Sequence, residues 1–128
     1  VDRLAGAKPK ALDGRRTWRS QPMVVGVGVI DLMAHNSSSL KAKRQVVKSI
    51  LGRVRSKFDI SIAEVGDQDK WQKCKIGFAV VTNDAGHAHR MLETVVGYVE
   101  NLHLAEIIGS NIEIVHYSLD SIQPRLSL

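Results

Sequence analysis

Seven cations crowd one short stretch, Ser39 to Phe58 (SLKAKRQVVKSILGRVRSKF). They are Lys41, Lys43, Arg44, Lys48, Arg53, Arg55 and Lys57, and no acidic residue lies among them. Lys and Arg at this density neutralise phosphates, so the chemistry on offer is recognition of an anionic polymer such as RNA. A helix needing only solubility would interleave Glu or Asp and gain pairs four residues apart. Just ahead stand Ser37, Ser38 and Ser39. There the free amides of a helix start could hold a phosphate, assisted by Lys41 or Lys43; the plainer role is capping by one of the serines.

Other reactive types fail to converge. Glu64, Asp67 and Asp69 bracket a polar turn, but their spacing fits no calcium loop. His87 and His89 are two apart and diverge on a helix, with no Cys or carboxylate at zinc spacing. Cys74 has no evident base, and a lone Cys is ordinarily a small buried hydrophobe. It excludes an intrachain disulfide and points to a reducing, cytoplasmic setting. The run Lys75-Ile76-Gly77-Phe78-Ala79-Val80 superficially resembles the third-strand motif of RNA-recognition domains. That motif needs aromatics on an open sheet face, whereas Phe78 shares its face with Ile76 and Val80. Trp71 is expected to pack its hairpin against the body. No catalytic residue, metal ligand or cofactor site is expected.

The elements that must position the cations follow from periodicity. Leu40, Val47, Leu51, Val54 and Phe58 form one stripe at about 100° per residue, widened by Ile50, with Ser39 as the N-cap. Lys41, Arg44, Lys48 and Arg55 share a flank beside it. A strand is expected over Met23 to Leu32, with Val25, Val27 and Val29 on one face and Gly26 and Gly28 on the other. Further strands are expected at Ile60 to Val65, Lys73 to Asn83 and Ile112 to Leu119. Gly109 to Asn111 reads as a turn or bulge. Asn83 and Asp84 offer caps for a second helix, about Ala85 to Leu102, burying Ala88, Leu92, Val95 and Val99. The order β-α-β-β-α-β with right-handed crossovers predicts an α+β, ferredoxin-like fold: a four-stranded antiparallel sheet with two helices on one face and the first and third strands central. Acylphosphatases share that topology but need an Arg in the loop after the first strand, and residues 33–38 contain none.

The chain divides into a basic tail (1–22), a domain (23–120) and a short C-terminal tail (121–128). Its 128 residues are 44% hydrophobic, enough for one domain with a real core. The net charge of +5 is unevenly spread: residues 1–22 carry +4, the helix at 40–58 carries +7, and the remainder carries −6. The tail has no periodic apolar face and is expected to be disordered. One explanation is that the natural start is Met23. A transit peptide fits less well because Asp2 and Asp13 break the acid-poor pattern, and a basic arm on nucleic acid is the third possibility. No apolar run approaches the roughly 20 residues that span a bilayer.

The segment Ser39-Leu40-Lys41-x-Lys43-Arg44-x-Val46-Val47-Lys48-Ser49 resembles the signature of the YlxP-like family of small bacterial proteins. So do Ala63-Glu64-Val65, Asp69, Trp71, Gln72 and Val81-x-Asn83-Asp84. The resemblance spans about Met23 to Leu119, departing at Lys70 and at the tail. It implies a ferredoxin-like domain of unknown function without established enzymatic activity. It also implies a link to RNA or the ribosome, because such genes often accompany those of translation and ribosome-maturation factors.

Two functions therefore stand as expectations. In one, the protein is non-catalytic and associates with structured or ribosomal RNA through Lys41, Lys43, Arg44, Lys48 and Arg55. In the other, it is a small-ligand-sensing or dimeric regulatory module, although residues 33–38 lack the Gly such loops usually carry. A self-association face is expected on the open side of the sheet at Gly26, Gly28, Ser61, Ala63, Gly77 and Ala79, with Ile30 and Val65 at its margins. So bald a face suits a homodimer.

Overall fold

The computed structural model describes residues 22–126, with Pro22 and Ser121 described by backbone alone. The basic tail therefore lies, Pro22 apart, outside the described residues. The order is β1 (Pro22–Met33), α1 (Leu40–Lys57), β2 (Ser61–Gly66), β3 (Lys73–Thr82), α2 (Ala85–Leu102) and β4 (Glu106–Ser118). The sheet runs β2-β3-β1-β4 with every pairing antiparallel, which is the ferredoxin-like arrangement. β4 is followed by a single 3-10 turn, Leu119–Ser121, and residues 122–126 continue without regular secondary structure.

Each helix is set by a cap and a stripe. Ser39 accepts a hydrogen bond from the Ala42 amide at 3.0 Å, and Asp84 does the same for His87 at 3.1 Å. α2 ends where His103 turns left-handed at φ 55°. Towards the sheet α1 presents Val47, Ile50 and Val54, and α2 presents Ala88, Leu92, Val95 and Val99. These meet Val24, Ile30 and Leu32 of β1, Ile62 of β2, and Cys74, Ile76, Phe78 and Val80 of β3. Burying side chains of this size stabilises the fold by about 1.5–3 kcal/mol each.

β1 faces the opposite way from the expectation. Gly26 and Gly28 lie under the helices: a Cβ on Gly26 would stand 2.8 Å from Leu92 Cδ1, and one on Gly28 would stand 2.5 Å from the Phe78 ring. Gly28 is paired with Phe78 and Gly26 with Val80, and paired residues of antiparallel strands share a face. The glycines make room for Phe78 and Leu92. Ile30, expected at the margin of the open face, is fully buried. Val25, Val27, Val29 and Asp31 point to the open side instead. β4 also begins earlier than expected, at Glu106, because the register with β1 slips between Asp31 and Leu32 and the strand continues through the bulge beside Gly109.

Candidate nucleic-acid interface

Six of the seven cations of α1 lie outside the core. Lys41, Arg44, Lys48 and Arg55 are exposed on one flank, which runs about 21 Å from Lys41 to Arg55 at 1.5 Å per residue. Among the described residues none of the four enters an ion pair. Arg55 donates through Nη2 to the Ile62 carbonyl at 2.8 Å, which anchors its guanidinium near the start of β2 and leaves the other donors of the fork free. Arg53 points elsewhere and bonds Ser49 Oγ at 3.2 Å. Lys57 lies 5.5 Å from the Tyr98 ring centroid, over the edge-to-face Phe58–Tyr98 pair.

The seventh cation has another fate. Lys43 is fully buried. Its Nζ lies 3.0 Å from Glu64 Oε2, 2.9 Å from the Asp67 carbonyl, 3.2 Å from that of Lys73 and 3.4 Å from that of Gln68. It cannot reach a phosphate, and it comes off the list of nucleic-acid contacts. The signal was its position, since Lys43 precedes Val47, Ile50 and Val54 at helical spacing on the buried stripe. Asp67 completes the arrangement in the left-handed region, φ 60°. Its carbonyl faces Lys43 and its carboxylate takes a 2.8 Å bond from Lys75. That bond holds the Asp67 carboxyl below its ordinary range and the Lys75 ammonium above its own. The pair's contribution is therefore present through neutral pH. It fades as pH falls past the depressed carboxylate value, or rises past the elevated lysine one.

The start of α1 is occupied by protein groups. Ser39 caps the helix, Ser37 is buried, and Ser38 is exposed. The Gln72 amide donates to the carbonyls of His35 at 3.1 Å and Ser37 at 3.3 Å, tying this loop to the β2–β3 connection. Of the expected phosphate-holding set, Ser37 and Lys43 are turned inward. Lys41 and Ser38 keep access to solvent.

Trp71 departs from expectation in the other direction. It is 60% exposed in the β2–β3 connection, not packed on the body. The contacts of Gln72 and Lys43 place this connection at the N-terminal end of α1, so an exposed indole and the exposed Lys70 stand at the same end as Lys41.

The remaining reactive groups stay apart. Among the described residues no three His, Cys, Asp or Glu gather as metal ligands. His89 lies 3.5 Å from Glu93 on the exposed side of α2. Burial, reinforced by the Glu64 carboxylate, pushes the Cys74 thiol up to about 11. Native protein is expected to resist iodoacetamide at about pH 8 and to label only when unfolded, because the thiolate is the reacting form. Rapid stoichiometric labelling of the folded chain would contradict this. No helix among the described residues is long and apolar enough to cross a membrane.

Comparison with known proteins agrees with the resemblance seen in the sequence. The chain is 35% identical over 78 residues to the "Uncharacterized protein YlxP" of Bacillus subtilis (strain 168), covering 61% of this chain and 85% of that one. Among solved structures it is similar to the de novo designed protein Foldit4, with a TM-score of 0.41, 15% identity, and 73% and 94% of the two chains covered. It is also similar to a Bacillus cereus protein assigned as an antibiotic biosynthesis monooxygenase, with a TM-score of 0.38, 12% identity, and 81% and 99% covered. The model of the family "Protein of unknown function (DUF503)" matches residues 25–112, and the chain belongs to that family.

Proposed function

We propose that this is a non-catalytic RNA-associated protein that docks on structured RNA, ribosomal RNA included, through the exposed flank of α1. The observation that carries the reading is the row of Lys41, Arg44, Lys48 and Arg55, exposed and without an acidic partner among the described residues. Proteins rarely leave such a row unrelieved on one helix, and its length suits several successive phosphates. Trp71 adds one surface on which an unpaired base could stack at the Lys41 end. The non-catalytic part rests on the buried, raised Cys74 thiol and on the lack of a converging acid–base or ligand set among the described residues.

The test is binding to ribosomal RNA and to intact ribosomes across a salt series. With about three cations engaged, log affinity should fall against log salt with a slope of roughly −2 to −3. The triple variant Lys41→Glu, Arg44→Glu, Lys48→Glu should lose binding and keep its fold, because all three side chains are exposed. Arg53→Glu should weaken binding much less. Trp71→Ala should cost about 5- to 100-fold if a base stacks there. Equal losses from the triple and Arg53 variants, compared per charge reversed, would leave net charge as the whole effect. No binding at low salt would end the proposal.

A further inference from the structure

The open face of the sheet, on the side away from the helices, leaves large apolar side chains exposed, Val81, Val115 and Tyr117 among them. Register places three rows across it: Val81–Val25–Val115, Ser61–Ala79–Val27–Glu113 and Ala63–Gly77–Val29–Asn111. An antiparallel sheet left to solvent normally carries charged and Thr side chains on that side. In these rows polar groups stand at the edges, Ser61 on β2 and Glu113 and Asn111 on β4, while the central strands contribute Val, Ala and Gly; the Asp31–Lys75 pair closes one end of the face.

We propose that this face is the isologous interface of a homodimer. The relief of the face selects a second copy as its occupant. One part is a ridge, where Val81 is 65%, Val115 40% and Tyr117 51% exposed. The other is a shallow depression of about 250 Å³, lined in part by Val27, Ser61, Ala63, Gly77 and Ala79. A two-fold axis between them seats each ridge in the other copy's depression, the self-complementarity that an isologous dimer requires. Size agrees. Three strands over ten rows and β2 over five, at about 4.8 Å between strands and about 3.3 Å per row, outline roughly 550 Å² per copy in projection, so two copies bury on the order of 1,100 Å², just above the roughly 1,000 Å² a specific interface should clear. Apolar centre and polar rim match the anatomy of such interfaces. Beyond β4 the chain adds exposed Leu119, Ile122 and Leu126, further apolar surface that two copies can share.

This inference stands apart from the RNA proposal, because α1 lies on the opposite side of the sheet. It is tested by sedimentation of the full chain over a concentration series reaching about 100 μM. The unaltered protein should sediment at twice the monomer mass. Val27→Lys and Ala79→Lys should each halve that mass with the circular dichroism spectrum retained, since neither side chain enters the core. The triple Glu variant of α1 should remain dimeric. Monomeric unaltered protein throughout the series overturns the proposal. That arm needs no variant, so a misfolded Lys substitution cannot obscure the result. A dimer that survives both folded Lys variants uses another surface and overturns it equally.

Discussion

Lys43→Ala is expected to destabilise the fold by about 3–5 kcal/mol, the cost of removing one partner of a buried ion pair. The substitution strips Glu64 of its cation and leaves the carbonyls of Asp67, Gln68 and Lys73 without that donor. Glu64 keeps 17% of its side chain exposed, so water can reach it and the lower end of the range is expected. Against a total stability of about 5–15 kcal/mol, the loss should be plain in urea unfolding followed by circular dichroism. A cycle separates charge from packing. Lys43→Met keeps the volume of the stem and still strands Glu64, whereas Lys43→Met with Glu64→Gln removes both charges and should recover about 0.5–3 kcal/mol of coupling. A loss under about 1 kcal/mol for Lys43→Ala would mean that the β2–β3 connection opens without cost. Lys43 would then be no staple between α1 and that hairpin.

The contrast between Lys43 and its neighbours shows where sequence reasoning reached and where it stopped. Val47, Ile50 and Val54 were legible because apolar type and helical spacing agreed, as they did for Ala88, Leu92, Val95 and Val99 of α2. Lys43 has the right spacing and the wrong type, and its partners lie 21 to 30 residues further along the chain. Periodicity carries no information about such partners. β1 failed for a different reason. With apolar residues on both faces, a period of two does not say which face is inside. Asp31 held the answer: it shares a parity with Val25, Val27 and Val29, and a carboxylate seldom lies under a helix without a partner. In the structure it is on the open side, 3.5 Å from Lys75. The exposed flank of α1 could be read directly, because Lys41, Arg44, Lys48 and Arg55 share one side of the helix beside the stripe and are all long cations. Trp71 could not, since its exposure depends on how a turn-rich connection lies against another loop.

The inverted face of β1 leads to the second large effect. Gly28→Ala is expected to destabilise the fold by about 1–3 kcal/mol, and Gly28→Val by more. In an ordinary strand position Gly→Ala gains about 0.4–1 kcal/mol, because it lowers the entropy of the unfolded chain. Here the added methyl would stand 2.5 Å from Cζ and 2.8 Å from Cε2 of Phe78, closer than any real contact. The ring is 3% exposed within the core cluster beneath the helices, so displacing it disturbs its packing. Overpacking therefore outweighs the entropic gain. Gly26→Ala offers the comparison: its methyl meets the end of the flexible Leu92 side chain at 2.8 Å, which yields more easily, and a smaller loss is expected. Relief should come from the ring itself. Gly28→Ala combined with Phe78→Leu should be more stable than the sum of the two single losses predicts, the non-additivity expected of residues in contact. The same variants separate core from interface, because Gly28→Ala should lower the urea midpoint and leave the sedimenting mass of the folded protein unchanged, whereas Val27→Lys should halve the sedimenting mass and lower the midpoint only by the lost association, which depends on protein concentration. A neutral or stabilising Gly28→Ala would return β1 to the opposite orientation, with its glycines outward and its valines beneath the helices.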